Sequence, residues 1–432
     1  MAVIKVGISE VSITPTPGYP LGGYIERYLK NNRASGKLHD IYARGFYLSD
    51  DSSEYIIISA EVLLFDNSFV ELARKRISAD TGIPETNIML SATHTHAAPE
   101  TSLEIFLFRF FYNEEIIDLI KDYNRFLLER LVEVTQKAKH DAKESELLIG
   151  RTLLEGICTN RIDPNLEKDS EIVVIADSLM RGGLMSFTCH PTVLGADNTL
   201  YSGDFLSYAA ERIKNCAKGF VPVFINGAAG DQSTRFVRKN QSVDEAKRLG
   251  YMLGDTFCKL LKNLEKIDVK EIRLINKEVE LKRRNLEEEK FREKLEAHIA
   301  ELGKMLEYEQ DPGKKRKISQ DLLTSKLLLE TYEKFDAYLK RLPETLRVNV
   351  SILILDSVAI VFIPAELFCS FGLEIKRKSK YPYTIIAGYS NGYYGYIPKS
   401  ETFKHLDYES LMSIFKADYG RVLVNEVIKF LT

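Results

Sequence analysis

The sequence predicts an α/β fold of layered mixed β-sheets with flanking helices, plus an inserted αα-hairpin. Three observations carry that prediction. Apolar runs of strand length alternate with amphipathic stretches at helical spacing as far as Leu264, the pattern that lays helices on the faces of sheets. Several of the apolar runs end in loops bearing histidine, carboxylate or tyrosine, and in open α/β sheets ligands bind at the carboxyl ends of strands. The stretch from Leu286 to Leu342 differs in composition and reads as two helices joined by a turn.

In chain order, Ile4 to Ile13 reads as a strand ended by Thr14-Pro15-Thr16-Pro17-Gly18. Leu21-Gly22-Gly23-Tyr24 is a turn whose glycines let the backbone approach something closely. His39 to Phe46 leads into a second strand and Glu54 to Leu64 is a third, with an acidic turn at 49–53 between them. Ser68 to Thr81 has helical spacing in Val70, Leu72, Ala73 and Ile77 and stops at Gly82-Ile83-Pro84. Ile88 to Leu90 is too brief for a helix and reads as a buried strand running into Thr93-His94-Thr95-His96. Glu114 to Lys139 is a long amphipathic helix. Leu147–Glu155, Ser170–Ala176 and Leu184–Thr188 are strands, the last entering Cys189-His190-Pro191.

Tyr208 to Cys216 is helical, and Pro222 to Asn226 is a buried strand ending in Gly227-Ala-Ala-Gly-Asp-Gln-Ser233. That small-residue loop bends tightly and presents backbone N–H groups. Ser242 to Leu264 is the next helix. In 286–342, Phe291, Leu295, Ile299, Leu302 and Leu306 repeat at helical spacing before the turn at Gln310-Asp-Pro-Gly313, and Leu322, Leu329, Tyr332 and Leu339 follow it. The charge runs of this hairpin read as a solvated face, with a lid or a homo-oligomer contact as the sharper alternatives. Arg347 to Ile363 is a β-hairpin turning at Asp356-Ser357 and leading to Pro364-Ala365-Glu366. Thr384 to Ala387 is a further strand, before a loop that closes at Tyr396-Ile397-Pro398.

Composition narrows the function classes. A chain of 432 residues with 45% hydrophobic and 28% charged content is that of a globular protein with an ample core. A net charge of −3 without a basic cluster gives no footprint for nucleic acid. No run of about 18 apolar residues predicts a transmembrane helix, and the amino terminus lacks the features of a signal peptide. Five cysteines without Cys-x-x-Cys spacing predict reduced thiols in a cytoplasmic protein and argue against a cysteine-based zinc site.

The strand ends now hold His94 and His96, His190, Glu366 and a tyrosine cluster before Pro398. A catalytic zinc takes about three N/O ligands and keeps one position for water, whose pKa it lowers to roughly 7. A binuclear barrel-type hydrolase would need two further histidines and a downstream aspartate in order, and these are missing. Ser233 as a nucleophile would need an adjacent base, and no separate triad is visible, so Asp231 and Ser233 read as loop-shaping or supporting residues.

These residues, taken as short islands in one order, resemble the neutral (non-lysosomal) ceramidase family of zinc-dependent amide hydrolases. The islands are Gly22-Gly23-Tyr24, Gly36 to Arg44, Thr93-His-Thr-His96, Asn160-Arg161 with Pro164, and Cys189-His190. Gly230-Asp-Gln-Ser233, Pro364-Ala-Glu366, Asn391 to Tyr396 and Asp407-Tyr408-Glu409 complete the series. The resemblance spans 1–285 and 343–432 and leaves the hairpin of 286–342 outside it. It implies Zn²⁺ held by His94, His190, Glu366 and Tyr396. It implies His96, Arg161 and Tyr408 as catalytic: His96, with a pKa near neutral, moves the proton of the attacking water to the leaving amine, while Arg161 and Tyr408 help stabilise the oxyanion. His39, Gly23, Asp231 and Ser233 are candidate substrate contacts. The expected activity is hydrolysis of the amide of an N-acylated compound, ceramide-like or smaller. An N-acetyl deacetylase or esterase on a soluble substrate, and a non-catalytic binding relative, are the alternatives.

Overall fold

The computed structural model describes residues 4–50, 52–105 and 109–432. Asp51, in the expected acidic turn, lies outside them. Three mixed sheets carry the architecture. In the first, Ile88–Ala92, Glu54–Ala60, Tyr42–Ser49, Lys5–Ser12 and Lys143–Glu144 lie side by side. In the second the order is Val221–Asn226, Gly182–Phe187, Glu171–Asp177, Leu147–Leu153 and Glu265–Ile267. In the third it is Ile272–Lys282, Thr345–Leu355, Val358–Phe362 and Tyr383–Ala387. Each sheet is antiparallel except for one pair: 54–60 with 88–92, 182–187 with 221–226, and 358–362 with 383–387.

The alternation of side chains along each strand fixes the layering, because a strand sends successive residues to opposite faces. One face of every sheet enters a shared core, where Phe46, Ile57, Ile175, Val223, Leu353 and Ile360 meet. The other faces carry helices. Asn67–Thr81 and Glu114–His140 cover the first sheet, Phe205–Cys216 and Val243–Leu260 the second, and Cys369–Lys378 with Tyr419–Leu431 the third. The turn after Thr81 ends its helix on Gly82 at φ 78°, where a side chain would be strained.

Three local expectations need correction, and one strand has no counterpart among them. The strand from Glu54 stops at Ala60 rather than Leu64, because the Val62 and Leu63 carbonyls turn away to receive His94. The segment 286–342 holds three helices, Phe291–Tyr308, Pro312–Glu330 and Tyr332–Arg341, instead of two. The break falls at Thr331, whose hydroxyl donates back to the Leu327 carbonyl at 2.7 Å, and it lets Phe335 fold onto Phe291. The 11-residue strand Ile272–Lys282 was hidden by its charge, since one face of this edge strand is exposed. The expectation of reduced thiols holds for Cys158, Cys189 and Cys369, but Cys216 and Cys258 form a disulfide between two neighbouring helices. That bond removes the support the cysteines lent to a reducing compartment. No helix among the described residues is long and apolar enough to cross a membrane.

Candidate functional site

The three parallel strand pairs point their carboxyl ends at one place. Past Ala92, Thr93 N donates to Ala60 O and His94 N to Val62 O, each at 3.0 Å, which turns His94 to a left-handed φ of 67°. Past Phe187 comes His190, and past Phe362 comes Glu366, paired through a short parallel bridge with Tyr396. Asn226, fully buried at the end of its strand, ties all three ends together. Its amide donates to the carbonyls of Thr93 and Cys189 at 3.1 Å, its Oδ1 accepts from Cys189 N, and its backbone carbonyl accepts from Gly388 N. The loop after Ala387 is held against the first sheet by Asn391, which bonds Leu90 through both its backbone N–H and its Oδ1. Tyr389 and Asn391 share the left-handed strain of His94, at φ 54° and 65°. Such strain persists where surrounding structure over-determines it.

The imidazoles are oriented for a cation. His94 Nδ1 faces the Leu63 carbonyl at 2.7 Å and His190 Nδ1 faces the Gln232 carbonyl at 3.1 Å. A carbonyl can only accept, so in each neutral ring Nδ1 carries the hydrogen and Nε2 presents a lone pair. Those lone pairs stand 3.6 Å (His94) and 3.0 Å (His190) from Glu366 Oε2. Acceptors packed this closely need positive charge between them. A proton is disfavoured, because burial pushes the His94 pKa down to about 3 and lowers that of His190 as well, with Arg161 adding to the effect. Glu366 is held below the ordinary carboxylate range: burial raises its pKa, but positive charge nearby outweighs that, and with the imidazoles neutral the fixed cation is Arg161. Neutral imidazoles beside a carboxylate are a donor set that fits a divalent metal. One ring nitrogen each from His94, His96 and His190 falls within 4.8 Å of the others.

His96 stands apart in one respect. Both its ring nitrogens are buried and have no hydrogen-bond partner. Burial, then His94, His190 and the two nearby arginines push its pKa well below the ordinary value, not near neutral as expected, so the ring is uncharged. Gly23, at φ 90°, lies against this ring, and a Cβ there would collide with it.

Opposite the imidazoles sits Arg161. Its Nε donates to Glu409 Oε1 at 2.6 Å, its Nη2 to the Tyr396 hydroxyl at 2.9 Å, and its Nη1 stands 3.2 Å from His190 Nε2. The guanidinium stays charged, since Tyr396, Glu409 and Glu366 outweigh its desolvation. Tyr408 meets the Tyr396 ring edge-on at 5.7 Å, and burial raises the pKa of both phenols. Two further tyrosines hold Glu366: Tyr393 donates to Oε1 at 2.5 Å and Tyr389 reaches Oε2 at 3.4 Å.

These groups open into a cavity of about 660 Å³, within the usual range for small-molecule sites. Gly23, His94, His96, Glu366, Tyr396 and Tyr408 are among the residues that line it. Leu63, Leu64, Ile105, Leu411 and Met412 form apolar wall, completed by Leu328, Phe335, Tyr338 and Leu342 from the helical segment. Arg161 and His190 stand behind this lining, and three of the four candidate substrate contacts also lie off it. His39 bonds Ser202 Oγ at 3.0 Å and packs on Tyr208, and Ser233 Oγ accepts from Arg235 N. Asp231 receives Asn160 Nδ2 and Cys369 N, and its carbonyl accepts from Arg161 N at 2.7 Å. Sequence reasoning missed Asn226, Tyr389, Tyr393 and Glu409 as members of the site. Glu409 carried a faint signal as the neighbour of Tyr408.

Known proteins share part of the sequence and the fold. Residues 4–248 match the family described as neutral/alkaline non-lysosomal ceramidase, N-terminal. Neutral ceramidases of Drosophila melanogaster and Drosophila pseudoobscura pseudoobscura are each 22% identical over 272 residues, covering 56% of this chain and 38% of theirs. The aligned part is thus well under half the length of those relatives. Among solved structures, neutral ceramidase from Pseudomonas aeruginosa superposes with a TM-score of 0.74 at 17% identity, covering 100% of this chain and 75% of the other. A structure described as ceramidase complexed with C2 gives the same TM-score, identity and coverage. At that identity the likeness is one of fold.

Proposed function

The chain belongs to the neutral/alkaline non-lysosomal ceramidase family, and from that premise we propose that it is a zinc-dependent hydrolase of the amide bond in N-acylated compounds. The observation that carries the proposal is the pair of imidazole lone pairs aimed with Glu366 Oε2 at one point. His94, His190 and Glu366, with Tyr396 beside them, would hold the ion. When bound, zinc supplies Lewis-acid chemistry, making water acidic enough to act as a nucleophile near neutral pH and polarising the scissile carbonyl.

The chain's own residues do the rest. Arg161, fixed by Glu409, and Tyr408, whose buried phenol keeps its proton, donate hydrogen bonds to the carbonyl oxygen as negative charge develops on it. His96 is neutral with both ring nitrogens unpartnered, so one nitrogen is open to receive the proton given up by the attacking water, and the lowered pKa of the ring favours prompt release of that proton to the departing amine. The cavity's apolar wall suits the hydrocarbon part of an acyl or alkyl chain, as in a ceramide-like lipid.

The test is amine release from N-acyl substrates graded from acetyl to long-chain, with and without a chelator. Cleavage that a chelator abolishes and zinc restores is the expected result, with turnover rising with chain length. Preference for acetyl would make the enzyme a deacetylase on the same chemistry. Absence of amide cleavage at every length, with zinc bound, would overturn the reading.

A further inference from the structure

The helix Pro312–Glu330 contributes to the cavity wall through Leu328, but its first turns reach somewhere else: the chain on both sides of the Arg161–Glu409 pair. On one side Gln320 Oε1 accepts from Arg235 Nη2 at 2.5 Å, and Arg235 Nη1 donates to the Arg161 carbonyl at 3.3 Å. On the other, Lys317 Nζ donates to Asp321 Oδ2 at 2.8 Å and to Asp407 Oδ1 at 2.9 Å. Asp407 opens the turn Tyr408–Leu411, its carbonyl accepting from Ser410 N and Leu411 N at 2.8 and 3.0 Å.

This arrangement is unlike the solvated charge that the surrounding Lys314-Lys315-Arg316 run suggests. The side chains of Lys317, Asp321 and Asp407 are only 20%, 4% and 11% exposed. An ammonium shared between two largely buried carboxylates is strict in its geometry, and deleting it leaves two like charges facing each other.

We infer that Lys317 is a positioning residue of the catalytic centre: by fastening Asp407 to the helix it sets where Tyr408 and Glu409 stand and, through Glu409, the orientation of the Arg161 guanidinium. The inference rests on the roles proposed for Arg161 and Tyr408. Lys317 does not line the cavity and performs no chemistry; it acts at a distance of one ion pair and one turn. Misplacement of a catalytic group by about 1 Å can cost roughly 10²-fold in rate.

The experiment compares Lys317→Met, which keeps the stem and removes the charge, with Lys317→Arg, which keeps the charge. Lys317→Met should lower kcat by about 10- to 100-fold with KM nearly unchanged and metal content intact, while Lys317→Arg recovers most of the loss. In an Arg161→Lys background the same change should cost much less, because the two residues act on one feature. Hydrogen exchange followed by mass spectrometry should show lost protection at 408–413 in the Met variant and none at 88–96. Wild-type kcat in Lys317→Met, or an undiminished loss in the Arg161→Lys background, would overturn the inference while leaving the proposed function standing. If the wild type itself cleaves no amide, the proposed function fails, and unchanged exchange at 408–413 would then overturn the positioning role on its own.

Discussion

The two sides of the site are held in place by different means. His94, His190 and Glu366 stand at strand ends from three sheets, and main chain fixes them: Leu63 O and Gln232 O orient the rings, and Asn226 binds the strand ends together. Arg161, Tyr396, Tyr408 and Glu409 come from a loop, a two-residue bridge and a single helical turn, and their side chains are fixed largely by one another. A main-chain scaffold keeps its shape when one side chain is deleted. A network of side chains loses several contacts with each deletion, and its members depend on one another more than pairwise counting suggests. The imidazole side should therefore fail one ligand at a time, and the arginine side as a unit.

The sharpest way to break that contrast is His190→Ala. It removes a proposed ligand nitrogen and the ring's bond to Gln232 O, but none of the backbone–backbone bonds around it. Metal content measured by mass spectrometry should fall to background, and turnover by more than the roughly 10²–10³-fold that loss of one oxyanion donor costs. The unfolding midpoint of the metal-free protein should hardly move. Stoichiometric metal in the variant would refute the site, and a collapsed midpoint would refute the main-chain scaffold.

Arg161→Met probes the other side. Here kcat should fall roughly 10²–10³-fold with metal retained, and the protein should also lose stability. Arg161 and Glu409 are both buried, at 7% and 3% side-chain exposure, and removing one partner of such a pair costs about 3–5 kcal/mol because the other charge is left uncompensated. Adding Glu409→Gln should restore much of the stability in urea unfolding and none of the turnover. If Arg161→Met unfolds no more easily than the wild type, this side of the site does not depend on its ion pair.

The same contrast explains what the sequence made legible. His94, His190 and Glu366 could be picked out because each follows a short apolar strand, and strand period and strand end are local signals. The layering of mixed sheets with flanking helices could be anticipated for the same reason, but not the number of sheets. The Arg161–Glu409 contact spans 248 residues and the Tyr393–Glu366 contact 27, and no local pattern announces either. Asn226 looked like the end of a buried strand because its function is expressed through main-chain atoms of distant segments. Lys317 was hidden by composition, being the one member of a basic run that turns inward onto two carboxylates.

Tyr393→Phe gives the smallest and most discriminating change, because Tyr393 is, with Tyr389 and Asn226, one of the side-chain supports within the side held mostly by main chain. Its hydroxyl occupies Glu366 Oε1 at 2.5 Å, which leaves Oε2 to face the two imidazoles. Removing one hydroxyl deletes no ligand and opens no large cavity, so folding should be nearly unaffected. Groups that orient a metal ligand typically account for roughly 10–100-fold in metal affinity. Zinc affinity measured by competition with a chelator should therefore weaken by about that factor, with activity restored at saturating zinc. Unchanged affinity would mean that Tyr389 and the short bridge between Glu366 and Tyr396 hold the carboxylate without Tyr393, and that this hydroxyl is no part of the support.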